Sequence, residues 1–146
     1  MNIAYQFLLY THILSAVASI GPFFVLLALI KKMRVAESDA QQAYIHVFSS
    51  SVRLVKHAGH VLVASGILLI LNGPWPWKTS WVVMTIIVMF SSIFFLARAF
   101  SPTLKGFNEP GANKQALVDK LHRSVWIYIF LLMLMLWFMT MKPNLW

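Results

Sequence analysis

At 146 residues, 60% hydrophobic and only 11% charged, the chain carries more apolar surface than a soluble domain of its size can cover, so lipid is its solvent over most of its length. The absence of cysteine removes disulfides, thiolate metal sites and thiol catalysis together. A net charge of +8 does not point to nucleic acid here: the basic residues gather between apolar stretches without interleaved aromatics, as they do where Lys and Arg set membrane orientation.

The first apolar stretch covers about residues 4–30, more than the roughly 20 a helix needs to cross hydrocarbon. No Lys or Arg occurs through Tyr10, and the run is too long for the apolar core of a signal peptide, so it is expected to remain as a span. Gly21-Pro22 within it predicts a kink or small bulge. On a helical wheel His12, Ser15, Ala16, Ser19, Phe23 and Leu26 share one face. Small and hydroxylated residues favour contact between membrane helices, so this face is expected to turn into a bundle. His12 then stands in the outer half of the bilayer, as a ligand or as an imidazole bonded to a neighbouring helix carbonyl.

Residues 37–51 have helical spacing, with Ser38 as the cap and Tyr44, Val47 and Phe48 on one side, and are read as extending the second span into the cytoplasm. His46 there reads as a solvated or interfacial histidine. The second span covers about residues 54–71. Arg53, His57, His60 and Ala64 lie along one face of it, while Gly59 and Gly66 allow a backbone or a flat ligand to approach closely. Asn72-Gly-Pro-Trp-Pro-Trp77 breaks the helix in a Trp-rich turn. The third span, about residues 80–100, closes at Ser101-Pro102; the fourth, about residues 125–141, closes at Lys142-Pro143-Asn144. His122 stands at the mouth of the fourth, in line with Trp126, Ile129, Met133 and Leu136. None of these runs alternates like a barrel strand. The expected fold is therefore all-α, a single-domain integral membrane four-helix bundle over residues 1–146.

Orientation follows from the cations. Lys31, Lys32, Arg34, Arg53 and Lys56 flank the first connection, and Arg98, Lys105, Lys114, Lys120 and Arg123 the last, against only Lys78 and Lys142 on the opposite side. Positive residues accumulate on the cytoplasmic side, which predicts both termini outside. Trp75, Trp77, Trp81 and Trp146 then form an outer interfacial belt with Tyr5 and Tyr10. The acids Glu37, Asp39, Glu109 and Asp119 all fall in the cytoplasmic connections, in charge-balancing positions.

Ionisable groups within a membrane are costly and are candidate functional sites by default. Four histidines meet that description: His12, His57, His60 and His122. By axial rise His57 and His122 lie at similar heights near the cytoplasmic face, His60 about one turn further in, and His12 about two turns higher. The expected shared site therefore joins His57 or His60 with His122, while His12 needs another partner or a five-coordinate role. Arg53, Lys56 and His57 also read as anchors reaching lipid phosphates, a reading that suits His60 least. A metal-handling protein would draw on His12, His60 and Met133, thioethers being suited to Cu(I). No Asp, Glu or Cys stands near His57 and His60 to complete such a site. Met84, Met89, Met133, Met135, Met139 and Met141 form no regular ladder and read as packing.

The run His12-Ile-Leu-Ser-Ala-Val-Ala-Ser-Ile-Gly21-Pro22, a first-span histidine followed nine residues later by a glycine, resembles a group of small bacterial membrane families. These are the DUF2269 integral membrane proteins, which it resembles most, the copper-resistance CopD-like domain and the HemJ-type protoporphyrinogen oxidases. Four spans, a basic first connection and a Gly-Pro-Trp turn followed by Trp81 extend the likeness along the chain. HemJ-like proteins are associated with haem b, which would make His12 a haem ligand or redox-site residue. HemJ-like third spans open with a basic residue soon after the tryptophan, where this chain has Val82, Val83, Met84 and Thr85, and the oxidase activity is not carried over. What the resemblance implies is a bacterial inner-membrane bundle able to clasp haem b between histidine-bearing helices. The competing expectations are a cofactor-free accessory or assembly subunit, working as a homo-oligomer or beside a partner membrane protein, and a copper- or metal-handling protein. Four spans without an inverted repeat argue against transport by a monomer.

Overall fold

The chain is all-α in the computed structural model, which describes residues 2–111 and 113–146. Among these residues four helices are long and apolar enough to cross a membrane. They are α1 (Ile3–Val35), α2 (Ser38–Asn72), α3 (Ser80–Ala99), continued by the short α4 (Ser101–Gly106), and α5 (Lys114–Met141).

The helices outrun the apolar stretches because their charged flanks are themselves good helix formers. The last turn of α1 carries Lys32 and Arg34, where the helix dipole favours cations. Residues 38–51 and the second span form one unbroken helix. Glu37, not Ser38, is its N-cap: the Gln41 N–H donates to Glu37 O at 2.7 Å, and Ser38 is already helical. On this segment Gln41, Ile45 and Phe48 are buried while Val47 is exposed. The buried Gln41 also donates from Nε2 to Met33 O at 3.4 Å, satisfying a carbonyl at the end of α1. Helix α1 continues through Pro22.

Buried residues on α5 include Val118, Leu121, Val125, Tyr128, Leu132 and Met135, and on α1 Ser19, Phe23, Leu26, Ile30 and Met33. Alternating steps of three and four are the seam of coiled-coil-like packing. The line His122, Trp126, Ile129, Met133, Leu136 is not that seam, because Trp126 and Met133 point outward. Helix α1 packs along α2 and α5, α5 packs along α3, and α4 touches α2, α3 and α5. Helices α2 and α3 scarcely meet. The bundle therefore runs α2–α1–α5–α3 and leaves an opening between its first and last members.

Its centre is aromatic. Phe100, fully buried between α3 and α4, has its ring centroid 5.6 Å from that of Phe23, 6.0 Å from Phe48, 6.1 Å from Phe95 and 6.0 Å from Tyr128. Met33 and Met135 fill the core beside these rings, and Met84, Met89 and Met139 pack against it, a packing role for methionine.

Each end of the bundle is tied separately. At the end bearing the termini, Ser80 Oγ donates to Pro143 O at 3.0 Å and accepts from Leu145 N at 2.9 Å. Trp146 Nε1 donates to Lys78 O at 3.2 Å. The Lys142 ammonium sits 4.4 Å from the ring centroid of Trp75 and 5.4 Å from that of Trp81. At the basic end Arg34 pairs with Asp119, and Gln115 Nε2 donates to Arg34 O at 3.1 Å, joining the end of α1 to the start of α5. The pair is largely solvated, so Arg34→Ala is expected to cost less than about 1 kcal/mol. Thermal melts in detergent at low and high salt check this: the small deficit should shrink further with salt.

Candidate functional site

His12 is held between α1 and α2. Its Nδ1 lies 3.1 Å from Leu62 O and 2.9 Å from Ser65 Oγ. A carbonyl only accepts, so in the Leu62 bond Nδ1 carries the proton and Nε2 the lone pair. Ser65 Oγ accepts from the ring and donates its own proton to Val61 O at 2.7 Å. The seat exists because residue 66 is glycine: a Cβ there would lie 3.0 Å from Cε1 of His12. The close approach expected at Gly66 is thus made by an imidazole of the chain itself. Ser15, Ser19, Phe23 and Leu26 below it are buried, so the face marked by the serines is the one turned inward.

The other three histidines occupy separate surroundings. His57 is exposed, as are Arg53, His60 and Ala64 along the same face of α2. His122 is half-buried, and its Nε2 accepts from Trp126 Nε1 one turn along α5 at 3.1 Å. His46 is exposed, as its position beyond the second span implies. Met133 is also exposed, on the outer side of α5. Among the described residues no three His, Cys, Asp or Glu side chains come together as a metal site.

His60 lines a groove. The opening between α2 and α3 forms a groove of about 200 Å³. One wall is Val52, Val55, Lys56, Gly59 and His60 of α2; the other is Ile93, Leu96 and Ala97 of α3, with Ser101 at the start of α4. Tyr128 of α5 lies at the back, against the Phe23 and Phe100 rings. A Cβ at Gly59 would meet nothing within 4 Å, so this glycine leaves open space beside the imidazole. Along α2 the partners of His12, Leu62 and Ser65, stand about 3 to 8 Å beyond His60. His12 and His60 are therefore near in height but face different gaps. His12 reaches from α1 to α2, whereas His60 faces from α2 towards α3.

A larger cavity of about 520 Å³ lies at the end bearing the termini, among Asn2, Tyr5, Leu8, Asn72, Gly73 and Trp75. Among the described residues no histidine and no charged side chain lines it.

Ser65 and Tyr128 are the site residues not singled out from sequence. Ser65 carries a usable signal, since it adjoins Gly66 and small residues mark membrane helix contacts. Tyr128 carries one too, since it lies one turn after Ser124, a small polar residue buried on the same face of α5.

No family model, no curated protein and no solved structure matches the chain.

Proposed function

We propose that this is a small bacterial inner-membrane protein, with both termini outside, that binds haem b through His60 in the groove between α2 and α3 and serves a redox role. The observation that carries the reading is the groove itself. It joins a histidine with no hydrogen-bond partner among the described residues to the open space at Gly59 and the apolar wall of Ile93, Leu96 and Ala97. Haem b requires an axial nitrogen, flat apolar surroundings and a place for its carboxylates; His60, Gly59 with the α3 wall, and Lys56 correspond to these. At about 200 Å³ the groove is smaller than an enclosed small-molecule site. The fit rests on the slight contact between α2 and α3, which leaves room for them to part. Bound haem would supply one-electron chemistry, while the chain binds it, orients it and keeps water away.

The test is an absorbance spectrum of detergent-purified protein from haem-replete cells. A Soret band is expected, lost in His60→Ala and kept in His57→Ala and His122→Ala. Colourless protein overturns the proposal.

A second reading has its own observation. The His12 Nδ1 is already bonded to Leu62 and Ser65, as expected of a cofactor-free accessory or assembly subunit in which histidine fastens two helices. The exposed faces of α2 and α3 would then meet a second copy or a partner membrane protein. Colourless protein that purifies with such a subunit favours it.

A further inference from the structure

The groove has one basic side chain besides its histidine. Lys56 precedes His60 by four residues, so the two project from one face of α2 about 6 Å apart along the axis, with Lys56 nearer the basic end. The side chains around them, Val52, Val55, Ile93, Leu96 and Ala97, are apolar, and Ser101 places a hydroxyl at the same end. Among the described residues no carboxylate lines the groove, and the ion pair of Arg34 with Asp119 lies elsewhere.

A lysine that merely reaches the membrane surface extends into water or lipid phosphates. This one is exposed, but it stands at the rim of a groove lined by Val52, Val55, Ile93, Leu96 and Ala97, which favour hydrocarbon. Next to low-dielectric surfaces an ammonium attracts an anion more strongly than it does in water. Basic pockets between membrane helices on the positively charged side hold acidic headgroups for that reason. The ligand that complements the groove has an apolar body and an acidic group at one end.

We propose that Lys56 is the anion subsite of the α2–α3 groove, receiving the carboxylates of the amphiphile whose apolar part lies beside Gly59 and the α3 wall. This rests on the groove being the ligand site; for haem b the acidic groups are its propionates. The phosphate of an acidic phospholipid offers the same chemistry from a second source.

The full chain in detergent is titrated with haemin and with haemin dimethyl ester, which has no free carboxylate. Wild type is expected to bind haemin about tenfold more tightly than the ester. Lys56→Gln should remove that preference by weakening haemin binding alone, and Lys56→Arg should restore it. Equal affinity of wild type for both compounds overturns the subsite. If no Soret band forms with either, the haem reading fails and the subsite is judged on lipid. Native mass spectrometry should then show phosphatidylglycerol retained over phosphatidylethanolamine by wild type and not by Lys56→Gln. Retention indifferent to headgroup, or unchanged in Lys56→Gln, overturns it.

Discussion

Phe100→Ala is expected to destabilise the protein by about 3 kcal/mol or more, the largest loss from any single truncation in the chain. Phe100 is fully buried, and its ring meets Phe23 of α1, Phe48 of α2, Phe95 of α3 and Tyr128 of α5. It is thus in contact with all four spanning helices. Removing it opens a cavity that no one helix can close, and each tilted or edge-on ring pair adds about 0.5–1.5 kcal/mol beyond its buried area. The effect reaches the groove as well. Tyr128 backs the groove and rests on Phe100, so ligand retention should fall along with the melting temperature. Phe90→Ala is the control, because Phe90 is 63% exposed on the outer side of α3. Thermal unfolding of both variants in detergent decides the matter. Equal, small losses would mean that Phe100 does not join the four helices.

How far the amino-acid sequence discloses this arrangement depends on the kind of residue concerned. The four spans are legible because length and the lack of charge are sufficient to locate a membrane helix. The inward face of α1 is legible through Ser15 and Ser19, since small polar residues mark helix contacts where apolar ones mark nothing. On α5 the corresponding marker, Ser124, stands just ahead of the span, so the inward face of that helix is less legible. Its span is apolar on every side, so the aligned His122 and Trp126 are the most conspicuous residues on it, yet their line contains two exposed side chains, Trp126 and Met133. On α2 the Arg53–His57–His60–Ala64 face is exposed, while Ser65 and Gly66 meet α1.

Ser101-Pro102 shows a different limit. In sequence the proline marks the end of the third span, and α3 does end at Ala99. Proline is equally suited to the first turn of a helix, where its missing N–H costs nothing, and α4 begins at Ser101. One dipeptide therefore closes α3 and opens α4, the segment that brings Thr103 and Leu104 into the core. The histidines divide along similar lines. Their presence in the apolar stretches is visible in sequence; that His12 is bonded to α2, His122 to its own helix and His60 turned to a groove depends on which helices are neighbours.

The pairing of His12 with Gly66 can be measured directly. Gly66→Leu places a Cβ about 3.0 Å from Cε1 of an imidazole whose Nδ1 is fixed by Leu62 and Ser65. The ring must leave its bonds or α1 must move off α2, and overpacking of this kind costs about 2 kcal/mol. Gly59→Ala separates this from the general effect of losing a glycine. With nothing within 4 Å of its Cβ, it should be neutral or stabilising by up to about 1 kcal/mol through helix propensity. His12→Ala alone should cost about 1–2 kcal/mol, the upper part of the range for a hydrogen bond between membrane helices. It orphans no buried group, since Ser65 Oγ retains its bond to Val61 O. In that background the space left by the imidazole admits the leucine, so Gly66→Leu should cost almost nothing. The double-mutant cycle, read from unfolding in mixed micelles, is expected to show a coupling of about 2 kcal/mol. Additive losses would mean that residue 66 meets something other than His12. Because His12 fastens α1 to α2 on the side away from the groove, His12→Ala should also leave any Soret band in place, separating the histidine that holds the fold from the one proposed to hold the ligand.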